Sequence, residues 1–182
     1  MDSITEQIKC KISTLSRNEL EKLVLKAASK HKEFNAFLRV NYIDKQSAED
    51  ELFDEAKADL GILMGKSYKG YAQELKLANM LTACNKRVMG FSKVCKNKKS
   101  EADLLMLILE IPFSLSGKIL GTCFTVLDYK VALILKKVIT LINTKLHPDY
   151  KMEYQEKINR YLNIMHSTSN HIDSVYALPK EL

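Results

Sequence analysis

The stretch YAQELKLANMLTACNKRVMGFSKVCK, residues 71–96, decides the fold class of this chain. Its apolar residues recur at spacings of four and three, which places them on one stripe of a helix. The stripe consists of Leu77, Leu81, Cys84, Val88, Phe91 and Cys95. The opposite face carries small residues that would let a second backbone approach: Ala72, Asn79, Ala83 and Gly90. We therefore predict a central helix that is packed on two sides, with the other helices around it.

The same helical spacing extends through the rest of the chain. Apolar residues three and four apart predict helices at 4–12, from 17 to about 41, at 47–63, at 100–111, at 123–146, and from 148 to a stop at Pro179. Only 6 Gly and 3 Pro occur in 182 residues, and so few turn formers favour long helices over a many-stranded sheet. The predicted fold is all-α. It has seven to eight helices in antiparallel hairpins, forms an α-solenoid-like stack or an irregular bundle, and makes a single domain over 1–182.

Local signals indicate where several helices begin and which faces they bury. Ser16 followed by Glu19 forms a capping box, and Pro148 after His147 suits a first helical position. Asp128 stands three residues after Thr125, so we interpret it as a capping acid rather than a buried functional carboxylate. In the first helix, we expect an inward-facing stripe of Ile4, Ile8, Ile12 and Leu15.

The charge pattern allows an anionic partner. The formal net charge is +6, and the segment 85–99 contains six basic residues and no acid: Lys86, Arg87, Lys93, Lys96, Lys98 and Lys99. These residues are our candidate anion site. Two other interpretations stay open: a solvated helix end matched to the helix dipole, or an intramolecular complement to the acidic segment 44–59, which has a net charge of −5. Only four of the 28 basic residues are arginine, which phosphate-binding sites prefer.

A polar ridge is predicted on the last helix. His166, Asn170 and Asp173 are spaced by four and three residues, so a continuous helix places them on one side. A His and an Asp so placed could supply half of a metal site or a general-base pair, but the other half is missing. No H-E-x-x-H, phosphate-binding glycine loop or G-x-S-x-G is present. We therefore predict no metal, no cofactor and no enzymatic activity.

The cysteines and apolar runs bear on the compartment. None of the four cysteines forms a C-x-x-C pair, so we expect reduced thiols and a cytoplasmic protein. The N-terminus shows no secretory apolar region. The most apolar runs, 104–109 and 131–135, are far shorter than the roughly 20 residues of a membrane span. We expect no association with a membrane.

Two passages resemble an uncharacterised family of bacterial all-helical proteins with a domain of unknown function. They are SYKGYAQELKLANMLTACNKRVMGFSKVCKNKKSEADLLMLILE (67–110) and GTCFTVLDYKVALILKKVITLI (121–142). This resemblance implies no activity or ligand. Separately, LSRNELEKLVLKAASKHKEFNAFLR (15–39) resembles the helix–short break–helix unit of helical repeat proteins. Periodicity alone fits one helix to about residue 41, whereas the resemblance implies two helices in a tight hairpin.

These observations favour a binding protein over an enzyme. The leading hypothesis is a non-catalytic, cytoplasmic protein-interaction or scaffold module, whose partner is another protein or a second copy of the chain. The alternative is an accessory protein that binds nucleic acid through the basic segment 86–99.

Overall fold

A computed structural model describes residues 3–115, 119–169 and 171–182, with side chains described from Thr5 onward. These residues form nine α-helices and no strand, which confirms the all-α prediction. The helices are α1 Ser3–Ser13, α2 Arg17–Lys30, α3 Lys32–Tyr42, α4 Lys45–Met64, α5 Gln73–Val94, α6 Lys98–Ser114, α7 Thr125–Lys145, α8 Pro148–Thr168 and α9 Asp173–Tyr176. The count exceeds the prediction because of the four-residue α9.

The chain divides into two compact units, Met1–Glu49 and Asp50–Leu182, called here the N-terminal unit and the C-terminal unit. The single domain over 1–182 stays a prediction. The two units differ in the burial of their apolar side chains. Most large apolar side chains described in the N-terminal unit are exposed, whereas those of the C-terminal unit form a buried core.

In the N-terminal unit, α2 and α3 pack against each other as a hairpin. His31 alone separates them, with an extended backbone at φ −121° and ψ 102°. Two helices joined by a tight break, rather than one long helix, are therefore confirmed. The capping box is also confirmed. The Ser16 side chain accepts from the Glu19 N–H at 3.3 Å, and the Ser16 N–H donates to the Glu19 carboxylate at 2.8 Å.

In the C-terminal unit, α7 is the central helix. It packs against α5, α6, α8 and α9. Its buried residues, which include Leu127, Val131 and Leu135, cover about half of its circumference at roughly 100° per residue. The predicted central position of the 71–96 helix is therefore wrong.

The predicted helix itself and its stripe are confirmed. Leu81, Cys84, Val88 and Cys95 are fully buried where α5 packs on α6 and α7. The small-residue face does not pack as expected: Asn79 is exposed, and a Cβ added at Gly90 would have nothing within 4 Å. An apolar stripe thus predicted which side of α5 is buried, while the open space at Gly90 shows that a small residue on the other side need not face a second backbone.

The end of α8 differs from the prediction. The last helix does not continue to Val175, because α8 ends at Thr168 and α9 starts only at Asp173. Gly121, just before α7, lies against this end of α8. Its φ is +73°, and a Cβ placed on it would lie 2.4 Å from the Thr168 carbonyl oxygen. Only glycine allows this approach of the two backbones.

We expect Gly121→Ala to lower the free energy of unfolding by at least about 2 kcal/mol, since it combines a strained φ with a backbone clash. Gly90→Ala is the matched control. The same methyl group enters open space in the interior of a helix, so we expect it to raise stability by about 0.5–1 kcal/mol. Urea denaturation followed by circular dichroism measures both. A Gly121→Ala protein as stable as the wild type would contradict the close approach.

Candidate functional site

Several ion pairs of the C-terminal unit involve residues at the start of α6. Asn97 caps this helix, because its side-chain oxygen accepts from the N–H groups of Lys99 and Ser100 at 3.1 and 3.2 Å. The helix therefore begins at Lys98, two residues before the start at residue 100 that the apolar spacing predicted. As a result, Lys98 and Lys99 belong to the helix, and their side chains reach carboxylates within the next turn.

Glu101 is buried between two lysines. Its carboxylate accepts from Lys98 of the same helix at 2.8 Å and pairs with Lys137 of α7 at 3.0 Å. Burial by itself would raise the pKa of Glu101, but the hydrogen bonds and charges of the two lysines outweigh that effect and lower it. The carboxylate is thus held ionised, and it ties the start of α6 to α7.

Lys99 joins a second group of polar side chains. Its ammonium lies 3.2 Å from the Asp103 carboxylate and 3.3 Å from that of Glu153 on α8. The Tyr154 hydroxyl donates to the other Asp103 oxygen at 2.6 Å. Burial would lower the pKa of Lys99, yet the two carboxylates raise it overall. Burial and the bond to Asp103 raise the pKa of Tyr154, so its hydroxyl stays protonated. These groups fix α8 to α6 and leave no unpaired base.

Arg87 on α5 forms the third pairing in the basic segment. Its Nε donates to Asp59 of α4 at 2.7 Å, and both side chains are partly exposed. Asp59 belongs to the acidic segment 44–59, so this contact is of the intramolecular kind that the charge pattern allowed. An exposed pair of this kind contributes little to stability, but it does occupy the guanidinium.

The structure therefore separates the candidate anion residues into two sets. Arg87, Lys98 and Lys99 are half-buried and bound to carboxylates. Lys86, Lys93 and Lys96 are exposed and, within the described residues, have no ion pair. Paired cations contribute less to phosphate binding because each brings a negative charge with it.

A groove of about 410 Å³ runs beside the Asp103 pairs, between α4, α6 and α8. Its apolar lining is Phe53, Leu104, Met106 and Leu107, and its polar lining is Lys57, Asp103, Glu110, Glu153, Tyr154 and Lys157. Lys157 and Glu110 form an ion pair with each other across it. The groove is lined by two lysines and three carboxylates, and Asp103, Glu110 and Lys157 already have partners within the protein.

The polar ridge is not one helical face. His166 lies near the end of α8, Asp173 is the first residue of α9, and Asn170 lies outside the described residues. The His166 Nε2 lies 3.1 Å from the Pro179 carbonyl oxygen, which can only accept, so this nitrogen carries the proton. The ring thus ties the C-terminal segment to α8. Among the described residues, no three His, Cys, Asp or Glu side chains come together as a possible metal site.

Asp128 is not a helix cap. Phe124 occupies the cap position of α7 without a side-chain hydrogen bond, and Asp128 is fully buried one turn later. One carboxylate oxygen accepts from the Gly121 N–H at 2.7 Å and from the Ser169 hydroxyl. The other oxygen is buried and has no hydrogen-bond partner among the described residues. The spacing of Thr125 and Asp128 gave no signal of this burial, because it depends on where α8 ends.

The N-terminal unit contains the largest departure from the predicted burial. Ile8 and Ile12 of α1, expected to face inward, are 54% and 43% exposed, and every side chain from Thr5 to Ser13 is exposed. Leu23, Val24 and Leu25 of α2 are also exposed. Periodicity predicted these helices, but the side chains that it placed on the buried face of α1 are exposed.

An aromatic cluster lies on α3 of the same unit. The rings of Phe34 and Phe37 stack with centroids 6.4 Å apart, and the Tyr42 ring meets Phe37 edge-on at 6.3 Å. Phe37 and Tyr42 are 43% and 75% exposed. Exposed aromatic side chains held against one another offer large contact area at low entropic cost on binding.

All four cysteines are free: Cys84 and Cys95 are buried, while Cys10 and Cys123 are exposed. Burial raises the pKa of the Cys84 thiol to about 11, which makes it a poor nucleophile.

Across residues 3–115, 119–169 and 171–182, no helix combines the length and the apolar character that crossing a bilayer requires.

The chain matches no family model, no curated protein and no solved structure at a significant level. The resemblance to an uncharacterised bacterial helical family therefore stays a prediction.

We expect Glu101→Gln to lower the free energy of unfolding by about 1–3 kcal/mol near neutral pH, since it breaks two charge-assisted hydrogen bonds at a buried site. The lowered pKa belongs to the folded state. The stabilisation is therefore present above the ordinary carboxyl value of 4.5 and is lost as the pH falls through the folded-state value. The variant should lose less stability than the wild type on acidification.

The control for this prediction is Glu110→Gln in the same helix. Glu110 pairs with Lys157, but both side chains are exposed, so we expect a change below about 1 kcal/mol. Denaturant titrations at neutral and acidic pH measure both variants. Equal effects of the two substitutions would contradict the role assigned to the buried pair.

Proposed function

We propose that this chain is a non-catalytic protein-interaction module of the cytoplasm, and that its N-terminal unit binds the partner. The observation that carries the proposal is the exposure of large apolar side chains in that unit. Its helices expose Ile8, Leu25 and Phe37, whereas Val40 and Ala48 are the buried apolar residues among those described there. A unit of 49 residues with so little core gains stability mainly by covering its apolar side chains with another molecule.

The aromatic cluster of α3 is the best candidate anchor. Phe37 lies against both Phe34 and Tyr42, so the three rings form one exposed group on a single helix. Aromatic residues dominate the binding energy of many interfaces because they bury large area at the centre of the contact. The exposed cysteines Cys10 and Cys123, free in this structure, suit the reducing compartment in the proposal.

The non-catalytic part of the proposal is supported by the use of the charged groups. Glu101, Asp103 and Lys99 are bound to one another or to neighbouring helices. Each of these side chains therefore holds parts of the structure together. A catalytic acid or base would instead have to face a substrate. General-base catalysis needs a free proton acceptor, and the carboxylates of Glu101 and Asp103 are already engaged by their partners.

We expect Phe37→Ala to weaken binding of the partner by about thirtyfold or more, as for a typical aromatic hot spot. The partner is first identified by cross-linking and mass spectrometry and is then purified for titration calorimetry. If the partner is a second copy, sedimentation gives the same comparison. Tyr129→Ala is the matched control, since Tyr129 is an equally exposed aromatic residue (45%) on α7. Equal binding by the two variants, or a monomer with no partner, would overturn the proposal.

The alternative, nucleic-acid binding through 86–99, has less support. Three of its six cations are bound to carboxylates, which leaves Lys86, Lys93 and Lys96 as the exposed positive charges. Lys86 and Lys93 do share one side of α5, being seven residues apart.

We therefore expect no salt-sensitive binding of generic single- or double-stranded DNA or RNA in fluorescence anisotropy at low salt. The triple variant Lys86→Ala, Lys93→Ala, Lys96→Ala serves as the comparison. Binding by the wild type that falls with rising salt, and that this variant loses, would favour the alternative.

A further inference from the structure

Helix α1 is amphipathic, and its apolar side is uncovered. Ile8 and Ile12 are one turn apart and are 54% and 43% exposed. Every side chain of α1 from Thr5 to Ser13 is exposed, so this helix contributes no residue to the core among the described residues. An isolated helix of 11 residues is marginal in water, because stable isolated helices need at least about 12–15 residues. Covering the isoleucines is therefore what would stabilise α1.

The charges around the isoleucines are arranged in a definite pattern. At about 100° per residue, Lys9 lies about 60° beyond Ile12 on one side, and Lys11 lies about 60° beyond Ile8 on the other. Both lysines are exposed and, within the described residues, neither forms an ion pair. The acid of this helix, Glu6, lies on the far side. The apolar stripe is thus bordered by a positive charge on each side.

This border determines which partner fits. In paired helices, the residues beside the apolar seam meet those of the other helix, and opposite charges there favour pairing. A second α1 would place lysine against lysine on both borders, so this stripe disfavours pairing with its own copy. The complementary partner is a helix whose apolar stripe has a carboxylate on each side.

We propose that the Ile8–Ile12 face of α1 is a docking surface for an amphipathic helix of another protein whose apolar stripe is bordered by Asp or Glu. This inference rests on the proposed interaction function and names the chemistry of the partner. The length of α1 limits the contact to about three turns, so the apolar contact is small and the bordering charges decide between competing helices.

An anionic membrane surface would also attract these lysines, but the helix suits it poorly. Interfacial helices bury a long apolar face that usually includes Trp, Phe or Leu. The sequence of α1, SITEQIKCKIS, has three isoleucines as its large apolar residues and contains no Trp, Phe or Leu. A partner helix, in contrast, needs only two side chains one turn apart to fit between its own.

The test uses the full chain and two synthetic helical peptides. Both peptides have the same leucine stripe; one is bordered by glutamates and the other by lysines. In fluorescence anisotropy at low salt, we expect the glutamate-bordered peptide to bind about tenfold more tightly than the other. The preference should shrink at high salt, because screening shortens the reach of the charges.

Substitutions assign the binding to α1. Lys9→Glu with Lys11→Glu should reverse the preference, and Ile8→Ser with Ile12→Ser should abolish binding of both peptides. Lys66→Glu with Lys69→Glu is the control, since it makes the same change in net charge at exposed lysines of the C-terminal unit and should leave the preference unchanged. Circular dichroism and denaturation confirm that each variant is folded, and all four α1 residues are exposed.

Three results would overturn the docking surface. The first is equal binding of the two peptides, or a preference that the Lys9 and Lys11 substitutions do not reverse. The second is binding to vesicles of anionic phospholipid with no binding to either peptide. The third is a dimer in sedimentation that the Ile8 and Ile12 substitutions dissociate. None of these results decides the effect of Phe37→Ala on the partner, so failure here is distinguishable from failure of the proposed function.

Discussion

The buried carboxylate of Asp128 is the constraint on which the arrangement of the C-terminal unit depends. It lies inside the central helix α7 and accepts from the Gly121 N–H, which precedes that helix, and from the Ser169 hydroxyl, which follows α8. A carboxylate buried without partners would be very costly, so these two donors are required where it stands. Both donors lie at the junction where α8 ends at Thr168 and the backbone of Gly121 approaches that residue.

That junction explains why His166 and Asp173 do not lie on one continuous helix. Periodicity places Ser169 inside a continuous helix, but Ser169 is the residue where α8 ends, and its hydroxyl turns to Asp128. After this break, α9 packs back on α7 and buries Val175. His166 and Asp173 are separated as a consequence, although their spacing fits one helical face. A long-range hydrogen bond has here outweighed a local periodicity.

The charged residues show the same limit of sequence reasoning. The capping box at Ser16, the Pro148 start and the buried stripe of α5 all depend on neighbours in sequence, and each was predicted. Glu101 and Lys137 lie 36 positions apart, and their pairing depends on how α6 packs on α7. The basic segment looked like one site because its residues are consecutive. The fold instead gives half of them to structural ion pairs and leaves the other half in solvent.

The two units therefore use their side chains in different ways. The C-terminal unit buries its apolar residues and uses charge to join helices, so its stability is internal. The N-terminal unit keeps Ile8, Leu25 and Phe37 in water, and nothing in its own small core compensates for that exposure.

Binding to such a unit must also order it, because α1 is too short to be fully helical alone and part of the interaction energy goes into forming the helix. A partner that both covers the isoleucines and meets Lys9 and Lys11 gains contact and charge together. A partner that supplies only the apolar contact or only the opposite charges gains less interaction energy to offset the cost of ordering α1. In the proposed docking, weak intrinsic helicity therefore lowers the affinity for every partner and leaves the bordering charges to distinguish between partners.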